Sequence, residues 1–298
     1  MIVTDITRIG DPQILLHDGV YYCYATGSSE GFLVWESADL IHWSAPEMCF
    51  RAVESWGKSH FWAPEVIFHN GKFVMHYTAM SRELDSLRLG VAVADHPKGP
   101  FVDVHGAPMF DFGYAAIDGS ALVCPEGNFL YFSKDCSENY VDGVKTSQIF
   151  CVRLNEDLTQ VVGEPALMTT PVEEFERKSL AMPEPHLWNE GPCVIPFGGK
   201  YIMNYSANHF ASNEYAICVA VADHPMGPWV KSVNNPVLSC REGLFGAGHN
   251  AFFTASDGRL MTSFHIQTDP ERPSGNRRTV VGEVAFGWKD GEIWQEIF

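Results

Sequence analysis

Three carboxylates, Asp11, Asp118 and Glu190, and one imidazole, His249, stand at nearly the same distance before a recurring glycine turn. Asp11 lies eight residues before Gly19, while Asp118, Glu190 and His249 lie nine before Gly127, Gly199 and Gly258. Ala63 fills the corresponding place, eight residues before Gly71. Acids brought together on apolar strands repel one another and lose hydration, an expensive arrangement that makes sense mainly as a functional site. Such repulsion can hold one carboxyl protonated beside another that is ionised, so the chemistry open to the set is proton transfer. Taken singly, each acid has a plainer reading as a turn or loop former: Asp11 before Pro12, Asp118 before Gly119, Glu190 before Gly191. Their shared phase argues for a set. His249 is open between a packed or hydrogen-bonded histidine and a ligand to an axial metal or water.

The elements that must position these residues are read from the turns. His17-Asp18-Gly19-Val20-Tyr21, His69-Asn70-Gly71-Lys72-Phe73, Glu126-Gly127-Asn128-Phe129, Gly198-Gly199-Lys200-Tyr201 and Asp257-Gly258-Arg259-Leu260 are five copies of one turn leading into a strand. The five glycines are 52, 56, 72 and 59 residues apart, and wrapping from the C-terminus to the first turn adds another 59. A second repeat keeps the same phase: Val91-Ala92-Val93-Ala94-Asp95-His96-Pro97 returns as Val219-Ala220-Val221-Ala222-Asp223-His224-Pro225, each 20 residues past its turn glycine. Five similar units predict an all-β, five-bladed β-propeller occupying residues 1–298 as a single domain. The first strand of each blade runs beside the axis, so matched positions on those strands face one another.

Composition agrees with this class. Of 298 residues, 46% are hydrophobic and 13% aromatic, enough for a sizeable core, and 26 Gly with 18 Pro suit a turn-rich β chain. The formal net charge of -17 argues against nucleic acid or an anionic membrane as partner. The N-terminal residues lack the pattern of a signal peptide and no apolar run approaches membrane length, so a soluble, cytoplasmic protein is expected. The eight cysteines form no C-x-x-C pair and read as buried free thiols. Gly246-Ala247-Gly248-His249-Asn250-Ala251 matches a loose dinucleotide pattern but leads into a strand, and Asn204-Tyr205-Ser206 lies mid-strand, so neither a dinucleotide site nor glycosylation is expected. The best helical segment is Val172 to Leu180, expected to wall the axial pocket.

Gly10-Asp11-Pro12, Trp62-Ala63-Pro64-Glu65, Ala116-Ile117-Asp118 and Asn189-Glu190-Gly191-Pro192 together resemble glycoside hydrolase family 43, the five-bladed arabinofuranosidases and xylosidases, over essentially the whole chain. The resemblance implies Asp11 as general base, Asp118 as the residue that adjusts pKa and orientation, and Glu190 as general acid. It also implies a sugar contact for Arg277 and an axial histidine at His249 beside a central calcium ion or water, with no cofactor required for the chemistry. Gly10, where a larger or basic residue often stands, and Ala247-Gly248 before the histidine depart from the family pattern. Trp62 is expected to offer an apolar face to a sugar ring, and Phe32 a second one.

Glycoside cleavage needs a proton for the leaving oxygen and a nucleophile on the opposite face. With water as nucleophile the anomer inverts. The resulting expectation is an inverting exo-glycosidase that removes terminal α-L-arabinofuranosyl units from arabinose-containing oligosaccharides. A β-D-xylosidase acting on xylo-oligosaccharides is the alternative. A carbohydrate-binding propeller without turnover is the reading from another class, and a protein-binding propeller of the WD type is third, its repeats of about 40–45 residues being shorter than any interval here.

Overall fold

All five turn glycines close antiparallel hairpins, and all have positive φ, from 76° at Gly71 to 126° at Gly127, a backbone region that side chains disfavour. The computed structural model describes residues 1–241 and 243–298. The first meander is β1 (Ile2–His17), β2 (Val20–Thr26), β3 (Gly31–Ser37) and β4 (Glu47–Arg51). The second is β5 (Gly57–His69), β6 (Lys72–Ser81), β7 (Leu87–Ala94) and β8 (Val102–Asp103). The third is β9 (Ala116–Cys124), β10 (Gly127–Lys134), the short β11 (Tyr140–Val141) folded on β12 (Val144–Leu154), and β13 (Val161–Thr169). The fourth is β14 (His186–Phe197), β15 (Lys200–Ala207), β16 (Ala216–Ala222) and β17 (Val230–Lys231). The last is β18 (Gly248–Thr254), β19 (Leu260–Gln267), β20 (Arg277–Lys289) and β21 (Glu292–Ile297).

Two further pairings join these meanders, so hydrogen bonding yields sheets of eight, nine and four strands among the described residues. The N-terminal half of β1 pairs with β20, Ile2 opposite Val281 and Ile9 opposite Arg277, which ties the two ends of the chain together. β12 runs parallel to β14 over Lys145 to Ser147. The first strands touch in cyclic order: β1 on β5, β5 on β9, β9 on β14, β14 on β18, and β18 on β1.

Apolar residues fill the space between consecutive meanders. Tyr24, Phe50, Phe61 and Tyr77 pack between the first and second; Val74, Leu89, Leu130 and Phe132 between the second and third. Tyr131, Ile149, Met203 and Cys218 follow, then Ile217, Leu238, Phe264 and Val280, and last Ile14, Trp35, Phe253 and Met261 between the fifth and first. The second sequence repeat belongs to this packing. The Tyr24 hydroxyl donates to the Pro97 carbonyl at 2.6 Å and the Tyr131 hydroxyl to the Pro225 carbonyl at 2.7 Å. Phe101 and Trp229 meet the same two tyrosines edge-on. Each copy of the motif therefore grips the meander before its own.

Phe32 belongs to this core. It is fully buried on β3, with ring centroids 5.7 Å from Phe50 and 5.7 Å from Tyr77, so the expected second sugar face is corrected: its side of β3 meets the neighbouring meander. The segment expected to be helical is a 3₁₀ turn, Glu174–Ala181, whose start is closed by reciprocal bonds between Glu173 and Glu176. Glu176 is completely buried, where its carboxylate accepts from Lys231 at 2.6 and 2.7 Å, from Tyr205 at 2.8 Å and from Asn189 at 3.0 Å. This pins the turn to the strand that carries Glu190. All eight cysteines are free, six of them buried, and Asn204 is buried as well. Among the described residues no helix is long and apolar enough to cross a membrane.

Candidate active site

Every first strand breaks register at the site: Gly10 to Gln13, Trp62 to Glu65, Ile117 to Ser120, Glu190 to Cys193 and Gly248 to Ala251. At each break one residue adopts positive φ: Asp11 at 54°, Ala63 at 44°, Asp118 at 59°, Gly191 at 55° and His249 at 47°. These are β-bulges, devices that re-aim a side chain and free a backbone N–H from the ladder. The equivalent of Asp11 on the fourth strand is thus Gly191, and Glu190 stands one residue earlier than strict phase puts it.

The freed N–H groups find side chains on neighbouring second strands. The Ala63 N–H donates to Thr26 Oγ1 at 2.7 Å, Asp118 N–H to Thr78 Oγ1 at 3.1 Å, His249 N–H to Ser206 Oγ at 2.7 Å, and Asp11 N–H to His265 Nδ1 at 3.2 Å. Each acceptor lies seven residues after its turn glycine. On the fourth strand the Gly191 N–H donates to the carboxylate Oδ2 of Asp118 at 3.1 Å, and Ser133 donates to that same oxygen at 3.4 Å.

Asp11 sits in a cationic and hydrogen-bonding nest. Its Oδ1 is 3.1 Å from Arg277 Nη1 and 3.3 Å from His249 Nδ1, and its Oδ2 accepts the Thr26 hydroxyl at 2.6 Å. Burial opposes the charge, yet Arg277, His249, His265 and Thr26 together hold Asp11 well below the usual carboxylate range. Glu190 is the opposite case. Burial first, then the Asp118 charge, push its carboxyl far above the ordinary value, against the Tyr215 hydroxyl that donates to Oε1 at 2.8 Å. Asp118 itself is raised to about 6, chiefly by burial, with His249 and the Gly191 N–H working against the rise and Asp11 adding to it.

Two departures seen in the sequence now have a steric cause. A Cβ on Gly10 would fall 1.9 Å from Arg277 Nη2, and one on Gly248 would fall 2.1 Å from Tyr215 Cε1. The glycines leave room for the arginine that faces Asp11 and for the tyrosine that holds Glu190.

The three acids share one cavity of about 510 Å³, within the range of small-molecule sites. Trp62, half-buried, lines it as expected, as do Arg277 and His249. Arg277 also lies over the Phe210 ring at 4.8 Å, so it is held between that ring and the Asp11 carboxylate. His249, the residue implied to lie beside a calcium ion or water, has its Nδ1 3.3 Å from Asp11 Oδ1, and among the described residues no three His, Cys, Asp or Glu side chains are grouped to hold a metal ion by themselves. Sequence reasoning assigned no role to Thr26, Asp135, Trp188, His209 and Phe210 on the cavity wall, or to Tyr215 and His265 beside the acids. The seven-residue phase would have found Thr26 and His265, but Asp135 carries no such signal.

The structure matches that of a thermostable family-43 glycoside hydrolase with TM-score 0.90 and 39% identity, covering 99% of this chain and 94% of that one. The β-D-galactofuranosidase xynD of Aspergillus niger is 25% identical over 95% of this chain and 81% of its own length. An extracellular exo-α-(1→5)-L-arabinofuranosidase of Streptomyces avermitilis is 27% identical over 92% of this chain and 59% of its length, so the chain spans about three-fifths of that relative. A β-xylosidase of Xylanibacter ruminicola is 29% identical over 58% of this chain and 56% of its own. The family described as glycosyl hydrolases family 43 matches residues 6–293, and with three acids gathered in one cavity inside that span, the chain belongs to glycosyl hydrolases family 43.

Proposed function

We propose that the chain forms a single five-bladed propeller and acts as an inverting exo-glycosidase releasing terminal α-L-arabinofuranosyl units from oligosaccharides. The observation that carries the reading is the opposite treatment of two carboxyls in one cavity: Asp11 held ionised by Arg277 and its neighbours, Glu190 held protonated by burial and Asp118. In the proposed step Asp11 takes a proton from water as the water oxygen bonds to the anomeric carbon. The glycosidic C–O bond breaks, and the Glu190 proton passes to the leaving oxygen. Asp118 keeps Glu190 protonated and binds the backbone beside it. Arg277 and Thr26 orient the base, and Trp62 offers its face to the ring.

The cyclic order of first-strand contacts, the five inter-meander cores and the ends joined through β1 and β20 support the five-bladed ring. The arabinofuranoside preference rests on the relatives that cover most of this chain. A β-D-galactofuranosyl ring and an α-L-arabinofuranosyl ring share their configuration and differ in the chain on the fourth carbon, so the two names point to one ring shape. The β-xylosidase relative favours β-D-xylosides as the second reading. The free cysteines are in keeping with a reducing, cytoplasmic setting.

The test is an aryl glycoside panel with proton NMR of the first-formed sugar. Release of arabinose as the inverted anomer is expected. A retained anomer removes Asp11 from its role, faster xylose release favours the second reading, and sugar binding without release from any substrate indicates a non-catalytic binder.

A further inference from the structure

A side groove of about 290 Å³ adjoins the catalytic cavity at Trp62, sharing Thr26 and Trp62 with it and walled by Ser28 and Ser29 of the β2–β3 loop and by Ser59 and His60 of β5. Its wall mixes the apolar surfaces of Phe61 and Trp62 with serine hydroxyls and is solvent-reachable, with Ser29 and His60 exposed. β5 breaks register between Ser59 and Trp62, and His60 takes a φ of 56°, so the strand bends outward here before its catalytic bulge. The His60 ring stands edge-on to Trp62 at 4.8 Å, leaving the indole between cavity and groove.

The position of the groove decides what can enter it. It lies between the first and second meanders, whereas Glu190 is on the fourth. In the proposed ring of five, the boundary between the first two blades is diametrically opposite the fourth. A glycoside poised for inversion has its leaving oxygen at Glu190 and its attacking water at Asp11. The group leaving through the anomeric oxygen therefore departs away from the groove. Whatever the groove holds must be joined to the reacting sugar through another of its hydroxyls. We propose that the groove is a binding site for a second sugar unit attached to the reacting ring, so that the protein also accepts extended chain ends and releases them as a disaccharide. This rests on the glycosidase reading above. The chemistry suits a furanosyl or pyranosyl unit: serine hydroxyls to pair with sugar hydroxyls, and an indole edge to cover a carbon face.

The experiment compares an aryl α-L-arabinofuranoside with the same compound carrying a second arabinofuranosyl unit on its sugar, in the wild type and in Ser29→Trp and Ser59→Trp, which fill the groove from opposite walls. Wild type is expected to release intact disaccharide from the longer substrate. Both variants should lose that release about tenfold or more, while the shorter substrate keeps its rate within about twofold. Release of single units only by the wild type, or equal loss on both substrates, overturns the proposal. So does a change confined to substrates with longer leaving groups. If the wild type cleaves neither compound, the catalytic reading fails by itself. Calorimetric titration of arabinobiose then tests the groove directly: weakening in both variants, with arabinose binding unchanged, supports it, and unaltered arabinobiose binding refutes it.

Discussion

Glu190→Gln isolates the proton that the mechanism assigns to this side chain. Burial and the Asp118 charge push the Glu190 carboxyl well above its usual range, toward the neutral form, and glutamine keeps the charge of that form. Glutamine also keeps an oxygen where Tyr215 donates at 2.8 Å, so the side chain has a reason to stay in place. What disappears is the acid. General acid catalysis contributes roughly 10²–10⁴ in rate, which is about 3–5 kcal/mol of barrier. The full loss is expected on alkyl glycosides and oligosaccharides, whose leaving oxygens need the proton. Aryl glycosides with an acidic phenol leave without much help, and their loss should stay within about tenfold. Initial rates on a graded series of leaving groups measure the difference, and the alkaline limb of kcat/KM should vanish along with the acid. Equal losses across the series would falsify the assignment of Glu190 as proton donor.

Three further outcomes follow from the same electrostatics and packing. Asp118→Asn removes one cause of the raised Glu190 carboxyl, so the pKa of Glu190 falls and the alkaline limb moves to lower pH; movement upward contradicts the tuning role. Gly10→Ala places a methyl 1.9 Å from Arg277 Nη2, displacing a flexible cation from Asp11. With its largest favourable partner moved, Asp11 is harder to ionise, so the acid limb should shift to higher pH; an unmoved acid limb counts against Arg277 as the main influence. Lys231→Met leaves the buried Glu176 carboxylate without its cation, at an expected cost of about 3–5 kcal/mol read as a lower urea midpoint. A midpoint within experimental scatter of wild type would show that the tyrosine and amide donors suffice.

The parts of the site that were legible in the sequence share one property: they repeat. The five turn glycines and the acids before them recur at a nearly constant phase, so position could be inferred from register without coordinates. The hydroxyl and imidazole acceptors at Thr26, Thr78, Ser206 and His265 recur as well, but serine and threonine in a strand look ordinary until the N–H groups they satisfy are seen. Phe32 was misplaced for a different reason. Which face of β3 meets the next meander depends on how consecutive meanders stack, and a buried aromatic and a sugar platform have the same sequence. Arg277 was singled out as a sugar contact, whereas its engagement with Asp11 depends on two strands 266 residues apart and on the space that Gly10 leaves.

The fourth strand shows why the one-residue offset of Glu190 matters. Elsewhere the bulge N–H is satisfied by a hydroxyl or a ring nitrogen, and at Asp11, Asp118 and His249 the bulge residue itself lines the cavity. Here the bulge residue is Gly191, its N–H is taken by the Asp118 carboxylate, and the acid is the residue just before. One contact therefore does two things: it fixes the backbone that carries Glu190 and brings the anion that opposes its ionisation. The two effects can be separated. Asp118→Asn retains an oxygen able to accept from Gly191 while losing the charge, whereas Asp118→Ala loses both. If Asp118 acted only through its field, the two variants should lose equal activity at a pH where Glu190 is still protonated. The hydrogen bond at 3.1 Å argues that the alanine variant loses more there, by about two- to tenfold, since the N–H bond to a neutral amide oxygen that asparagine alone retains contributes roughly 0.5–1.5 kcal/mol.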